Sequence, residues 1–405
     1  MRTSAPIQGM ACFLVSAFLS PSLPQAATVT PVTSATFFTG QSFFDGSATS
    51  VGGNADILVT PVVQFSDRWS VFPTYSGFYR GTQDIQSLAG GGRLFRDSTG
   101  HSLLIKDVHT LGHWKLKPSV GGSFEWLREA KNEGWGQGLF DYRKANAGLE
   151  AEFNSESMGG GRAAYDYYQL AFPNYQSLES AQDPTLSREL AGTDVLDNTN
   201  HMATVGIWTP LPGRGRLEMT GFLDERHYGD QPVVNDQGQL TSEERKDHLR
   251  NLGAHVVYLF PPLFGVRGEG SVGYSYGTQT SNQDHYDVKQ SLFLANYYDF
   301  EEWRLSPQIS ARLNQDRVSV SLGGFYERRL YTDRPAQDTA GGYVNEKFYV
   351  TTAITRLGIA YSLTARTKLR LDGSLGWSHS NTNYEDIFRY NYRTAGYGVG
   401  FSYDY

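Results

Sequence analysis

The chain has 405 residues, 25 Tyr, 23 Phe and 44 Gly, with only 39% hydrophobic residues and a formal charge of -7. That length suits either two ordinary domains or one large all-β domain. The aromatic and glycine-rich composition favours the second, and the acidic balance argues against a nucleic-acid binder. One cysteine, Cys12, excludes a disulfide framework and a Cys-based metal site from the rest of the chain.

Residues 1–27 read as a cleavable signal peptide. Arg2 supplies the positive start, 10–19 the apolar stretch, and Gln25-Ala26-Ala27 a small-residue exit. Cleavage near Ala27 removes Cys12 and Arg2 and takes the formal charge from -7 to about -8. Residues 28–405 are expected to form one domain, with 28–34 a short lead-in and the first strand near 36–45.

No later segment reaches the 18 consecutive apolar residues of a membrane helix, and the best run, 256–266, is broken by Pro261-Pro262. What recurs instead is strict alternation. Val120, Gly122, Phe124 and Trp126 alternate with Gly121, Ser123 and Glu125; Leu217, Met219 and Leu223 with Arg216, Glu218 and Asp224. Further on, Val272, Tyr274 and Tyr276 alternate with Arg267, Glu269, Ser271 and Ser275. Val318, Val320, Leu322 and Tyr326 stand opposite Ser319, Ser321, Glu327 and Arg329, and Leu369, Leu371, Leu375 and Trp377 opposite Lys368, Arg370, Asp372 and Ser374. Many runs are long enough to cross a bilayer at a tilt, and a sheet can span lipid only if it closes on itself.

Tight polar turns are expected at 66–68, 211–214, 314–317 and 364–367, and long polar loops at 83–101, 173–200, 229–245, 332–346 and 380–390. Short turns on one side and long loops on the other are the asymmetry of a transmembrane barrel. Aromatic clusters at Tyr165-Asp166-Tyr167-Tyr168, Tyr297-Tyr298 and 390–392 are expected to form interfacial girdles. Counting the runs gives 17 strands, an odd number, with a turn at Glu301-Glu302 as the doubtful break. The expected fold is therefore an antiparallel up-and-down transmembrane β-barrel of 16 strands, 14 and 18 being the neighbouring even solutions. The pattern W-x-L-x-P at Trp114 and Trp303 reads as coincidence rather than as a hairpin repeat.

The last strand places Ala395, Tyr397, Val399, Phe401, Tyr403 and Tyr405 on one face up to the terminal residue. This resembles the assembly signal of bacterial outer-membrane β-barrel proteins, although Phe is the usual last residue there. The resemblance implies an outer-membrane location, with outer-membrane lipid and the barrel-assembly machinery as partners; the in-phase polar set Thr394, Gly396, Gly398, Ser402 and Asp404 points to closure of the final strand on the first, near 36–45. It is compatible with a homo-oligomer and names no specific family.

Candidate chemistry is sparse. Ser378-His379-Ser380-Asn381 resembles a hydrolase element with the wrong spacing, and His248 and His255, seven apart, face opposite sides of one strand. Gly90-Gly91-Gly92 and Gly159-Gly160-Gly161 lack the rest of a phosphate loop, and 230–244 lacks calcium-loop spacing. No cofactor, metal or catalytic group is expected. The informative set is Arg216, Glu218, Arg267, Glu269, Glu327, Arg329, Lys368, Arg370 and Asp372, all on polar faces and expected to line a water-filled pore. The sequence thus reads as a non-enzymatic, porin-like channel for small hydrophilic solutes. A barrel component of envelope polymer export is the alternative, and a loop-borne lipid hydrolase a third reading. The acidic net charge favours cations only where its carboxylates face the pore.

Overall fold

The computed structural model describes residues 27–48, 51–81, 97–128, 133–155, 158–177, 190, 192–385 and 389–405. Residues 1–26 of the expected signal peptide and Gly90-Gly91-Gly92 lie outside the described residues. The alternating runs form sixteen antiparallel staves, each bonded to the next in chain order. They begin with β1 (Thr33–Phe44), β2 (Gly52–Val59), β3 (Trp69–Arg80) and β4 (Asp97–Leu111). The wall continues through β5 (Trp114–Arg128), β6 (Tyr142–Ser155), β7 (Gly159–Ala171) and β8 (Asn198–Leu211). Then come β9 (Gly215–Val234), β10 (Leu240–Leu259), β11 (Arg267–Ser281) and β12 (Phe300–Leu313). The last quarter is β13 (Val318–Gln337), β14 (Tyr343–Ser362), β15 (Thr367–Ser380) and β16 (Tyr392–Asp404).

β16 closes on β1 in register from Ser34↔Asp404 to Phe44↔Thr394, so the sheet has no free edge. Closure depends on small residues at the seam. The ring of Phe38 lies flat over Gly398 and Gly400, where any Cβ would collide with it. Trp208 covers Gly160 in the same way. Such rings cover the backbone of the neighbouring strand and leave the lumen free.

Three expectations are corrected. Glu301-Glu302 is not a turn: both residues are inside β12, bonded to Arg329 and Leu330 of β13, which removes the seventeenth strand. Residues 28–34 are not a lead-in, since Thr28–Thr30 pairs with Val62–Ser66 and extends the β1–β2 pair past Pro31 and Pro61. The segments 229–245 and 332–346 are not open loops. β9 with β10, and β13 with β14, run on as hairpins beyond the apolar band, bulged at Pro232 and Pro335, with turns of only 235–239 and 338–342. Polar residues there signal solvent, not loss of the ladder. Trp114 opens β5 at the turn end of the barrel whereas Trp303 lies near the opposite end, in β12, so the two W-x-L-x-P segments occupy different places, in keeping with coincidence.

The outward set forms a continuous apolar band. Leu223, Leu252, Ile309, Leu322, Leu357, Leu375 and Val399 are all exposed. On β15 the band runs from Leu369 to Trp377, about 20–25 Å once strand tilt is allowed for. It is rimmed above by Tyr276, Trp303, Tyr326 and Trp377, and beyond that rim outward residues become His201, Arg250, Arg328 and His379. At the lower rim Phe65, Trp69 and His109 stack, with the Trp69 indole donating to Asp107 at 2.8 Å. An exposed band of this height on a closed sheet is stable only in lipid.

The buried apolar residues do not sit inside the barrel. Leu127, Tyr175, Val195, Val234, Ala336, Phe348 and Tyr390 all lie at the end opposite the chain termini. The packed core is therefore the mouth formed by the long connections.

Candidate pore wall and mouth

The pleat sends the polar set of each strand into the lumen, opposite the apolar band. Arg216 and Glu218 pair along β9 at 2.8 Å, and Arg370 and Asp372 along β15 at 3.7 Å. Lys368 reaches Asp404 of β16 at 3.5 Å and Arg267 reaches Asp316 at 2.9 Å. Glu327 pairs with Arg304 at 3.0 Å, and Arg329 with Glu302 at 2.7 Å. Glu269 has no ion-pair partner among the described residues. The partners come from the same or the adjacent strand, or for Arg267 from the nearby β12–β13 turn, so these pairs lie along the wall rather than across the lumen.

Sequence reading passed over other members of this wall. Lys117 donates to Glu150 at 2.6 Å and also to Glu152 across the β5–β6 pair. Lys106, Arg162, Arg312 and Arg356 face inward without an ion-pair partner among the described residues. Alternation within β5, β6 and β7 carries the signal for the face of each, but the pairings depend on register between strands, which no single run reveals.

Accessibility falls along the wall. On β9 the side chains of Arg216 and Glu218 are 53% and 40% exposed, whereas Asp224 is 3%. On β15, Arg370 and Asp372 are 44% and 37% exposed, while Ser378 and Ser380 are buried. On these two strands the wall is wet toward the end that carries the termini and enclosed toward the opposite mouth, whereas Lys117, Glu150 and Glu152, low on β5 and β6, are only 16–17% exposed because they pair with one another.

Two arginines organise that mouth. Arg245 donates through Nε and Nη2 to Asp247 at 2.9 and 2.8 Å, and its guanidinium lies between the rings of Tyr228 and Tyr298, at 4.8 and 4.7 Å. Arg334 lies over Tyr297 at 4.5 Å and Phe348 at 4.4 Å, and donates to the Tyr390 hydroxyl at 3.3 Å. Tyr297 and Tyr298 pack edge to face at 5.2 Å. One chain of contacts thus joins β9, β10, the 282–299 connection, the β13–β14 hairpin and the 381–391 connection. The expectation that Tyr297-Tyr298 and Tyr390 form a girdle is corrected: they face each other inside the mouth, because their segments lie above the band. Tyr165 and Tyr167 do face outward, against His201.

In the 282–299 connection, burial raises the carboxyls of Asp284 and Asp299 above the ordinary aspartate value. The Ser281 N–H, donated to Asp299 at 2.7 Å, works against this, and the nearby carboxylates of Asp247, Asp284 and Asp333 add to it.

The hydrolase-like element does not assemble. His379 turns outward toward Tyr349, while Ser378 and Ser380 turn inward, and the Asn391 side chain accepts from the Ser380 N–H. His248 faces outward near Glu225, and His255 faces inward beside Glu218 and Arg304. Gly159-Gly160-Gly161 opens β7.

The closed sheet, the apolar band, and the short turns set against long opposite connections are those of one class. The chain is a bacterial outer-membrane β-barrel. No protein-family profile and no curated protein matches its sequence. Among solved structures it is similar to the trimer form of the outer membrane protein OmpT of Vibrio cholerae, with 13% identity over 94% of this chain and 100% of that one and a TM-score of 0.46. It is also similar to an anion-selective porin from Comamonas acidovorans, with 11% identity over 94% and 100% of the two chains and a TM-score of 0.45. CdiB from Acinetobacter baumannii gives 11% identity over 94% of this chain and 66% of that chain, with a TM-score of 0.47.

Proposed function

We propose that this barrel is a passive, porin-like channel for small hydrophilic solutes, with no covalent chemistry, whose passage is limited at the loop-packed mouth. The observation that carries the reading is the gradient along the wall, from well-exposed charged side chains to buried ones. A polar, wide interior supplies the route through lipid. The described carboxylates of the wall are largely matched by neighbouring cations, while Arg162, Arg312 and Arg356 are not. The lumen therefore presents a weak positive excess to a passing ion despite the negative charge of the whole chain.

The refolded mature chain is expected to give discrete conductance steps in a planar bilayer. Protein that is folded by heat-modifiable gel mobility, yet shows no conductance, would overturn the proposal. The packed mouth is the one observation that favours the second reading, a barrel of envelope polymer export opened by a partner. That reading predicts silent protein which conducts once the 381–391 connection is shortened.

A further inference from the structure

The outward face from β10 through β16 to β1 is not smooth. Between β10 and β14 an apolar groove of about 760 Å³ is cut into the band, walled by Val272, Leu305, Ile309, Leu322 and Tyr326 and floored by Pro307 and Gly324. A second groove of about 460 Å³ lies beside it, between Phe43, Leu375, Trp377 and Ala395. Ala353 and Thr355 line both, so two small residues of β14 form the low ridge that divides them. The first groove reaches from Tyr326 at the upper rim to Phe260 below the band, the whole apolar thickness.

Each groove meets a cation at its upper end. Arg393 lines the second groove itself. Arg328 lies one outward position above Tyr326 and rests on the Tyr349 ring at 4.6 Å. Both are exposed, and neither guanidinium has an ion-pair partner among the described residues, although the Arg393 backbone N–H donates to Asp45 at 2.7 Å. Grooves sized for hydrocarbon and topped by guanidinium groups at headgroup depth match the two halves of an anionic lipid.

A second copy of the chain fits this surface less well. Among the described residues, the carboxylates beside these grooves at this depth include Asp45, Glu225 and Glu301; Asp45 already accepts from the Arg393 backbone N–H at 2.7 Å and pairs with Arg389 at 2.5 Å. Glu225 already lies 3.8 Å from His248, and Glu301 accepts from the Tyr276 hydroxyl at 2.6 Å. Another protomer would bring more arginine and histidine to this rim and no free anion. We propose that the β10–β1 face binds a phosphate-bearing lipid, with acyl chains in the two grooves and the phosphate held by Arg328 and Arg393. This rests on the chain being a lipid-embedded barrel and not on what it transports.

The test is native mass spectrometry of the refolded mature chain in dodecylmaltoside, titrated separately with dioleoyl phosphatidylglycerol and dioleoyl phosphatidylcholine. The wild type is expected to retain the anionic lipid about tenfold more tightly than the zwitterionic one. Arg328→Glu with Arg393→Glu, on a solvent-facing rim where folding is not at issue, should abolish that preference. Ala353→Trp, which fills both grooves, should lower retention of both lipids. Equal retention of the two lipids by the wild type overturns the proposal. So does a preference unchanged in the arginine double variant, or an oligomer that Ala353→Trp dissociates, which would make the occupant a second copy.

Discussion

Tyr298→Ala removes the link between the two arginine cages at the mouth. The Tyr298 ring stacks on Arg245 at 4.7 Å and meets Tyr297 edge to face at 5.2 Å, and the alanine variant can make neither interaction. A cation–π contact of this kind contributes about 0.5–2 kcal/mol and an aromatic pair about 0.5–1.5 kcal/mol. Tyr297 lies in the same connection, so only the Arg245 contact docks the 282–299 segment, by about 0.5–2 kcal/mol, a factor of roughly 2–30 in the ratio of docked to released states. Arg245 keeps Asp247 and Tyr228, so the barrel beneath is unaffected. Single-channel recordings should show the high-conductance state favoured by that factor in Tyr298→Ala, and amide exchange across 284–299 should accelerate by a similar one. Tyr298→Phe retains the ring and should stay within about twofold of wild type. Unchanged dwell times and exchange in the alanine variant would refute the latch, and a phenylalanine variant as disruptive as alanine would refute the stacking account of it.

Arg162→Glu combined with Arg356→Glu should move the reversal potential in a KCl gradient toward cations, while either wall pair replaced by neutral residues, such as Arg370→Gln with Asp372→Asn, should leave it nearly unchanged. Phe38→Ala uncovers Gly398 and Gly400 at the closing seam and should lower barrel stability by about 1–2 kcal/mol, since the ring is half buried, read as a lower temperature for the heat-modified gel shift. Acid should steady the mouth. Asp284 and Asp299 hold their protons more tightly in the packed connection than in a released one, so packing gains as pH falls through their raised values and gains nothing more below the ordinary 3.8. Closures should lengthen with acidification, and Asp299→Asn should remove much of that dependence.

The barrel was legible because its determinants are local. Two-residue alternation in 369–377 and 395–405 states which side chains meet lipid, and the structure places Leu369, Leu375, Tyr397 and Phe401 there. Closure on the first strand followed from the phase of the terminal run. The misread break at Glu301-Glu302 has a physical cause: two adjacent carboxylates look like a turn in isolation. In β12, Glu302 points inward to Arg329 and Glu301 outward to the Tyr276 hydroxyl, so both are satisfied by neighbouring strands that the local sequence does not show. The mouth was illegible for the same reason, more strongly. Arg245, Tyr298, Arg334 and Tyr390 come from segments far apart in the chain, and a tyrosine above the band has the same local signature whether it faces membrane or partner.

The gradient of exposure also decides where discrimination is to be sought. Charges on the wet part of the wall, such as Arg216 and Lys368, act through water and are screened beyond about 8 Å at physiological salt. They set a mild bias among ions and little else. At the mouth, Asp247 is buried with Ser281 donating to it at 2.6 Å, and the side chains around it are locked by stacking, so a solute must displace packed groups rather than pass a screened field. Substitutions low on the wall should therefore change ion preference with conductance nearly constant, whereas substitutions at 245, 298 and 334 should change conductance and solute size limit with ion preference nearly constant. A wall substitution that altered the size limit, or a mouth substitution that altered only ion preference, would place the constriction inside the barrel instead.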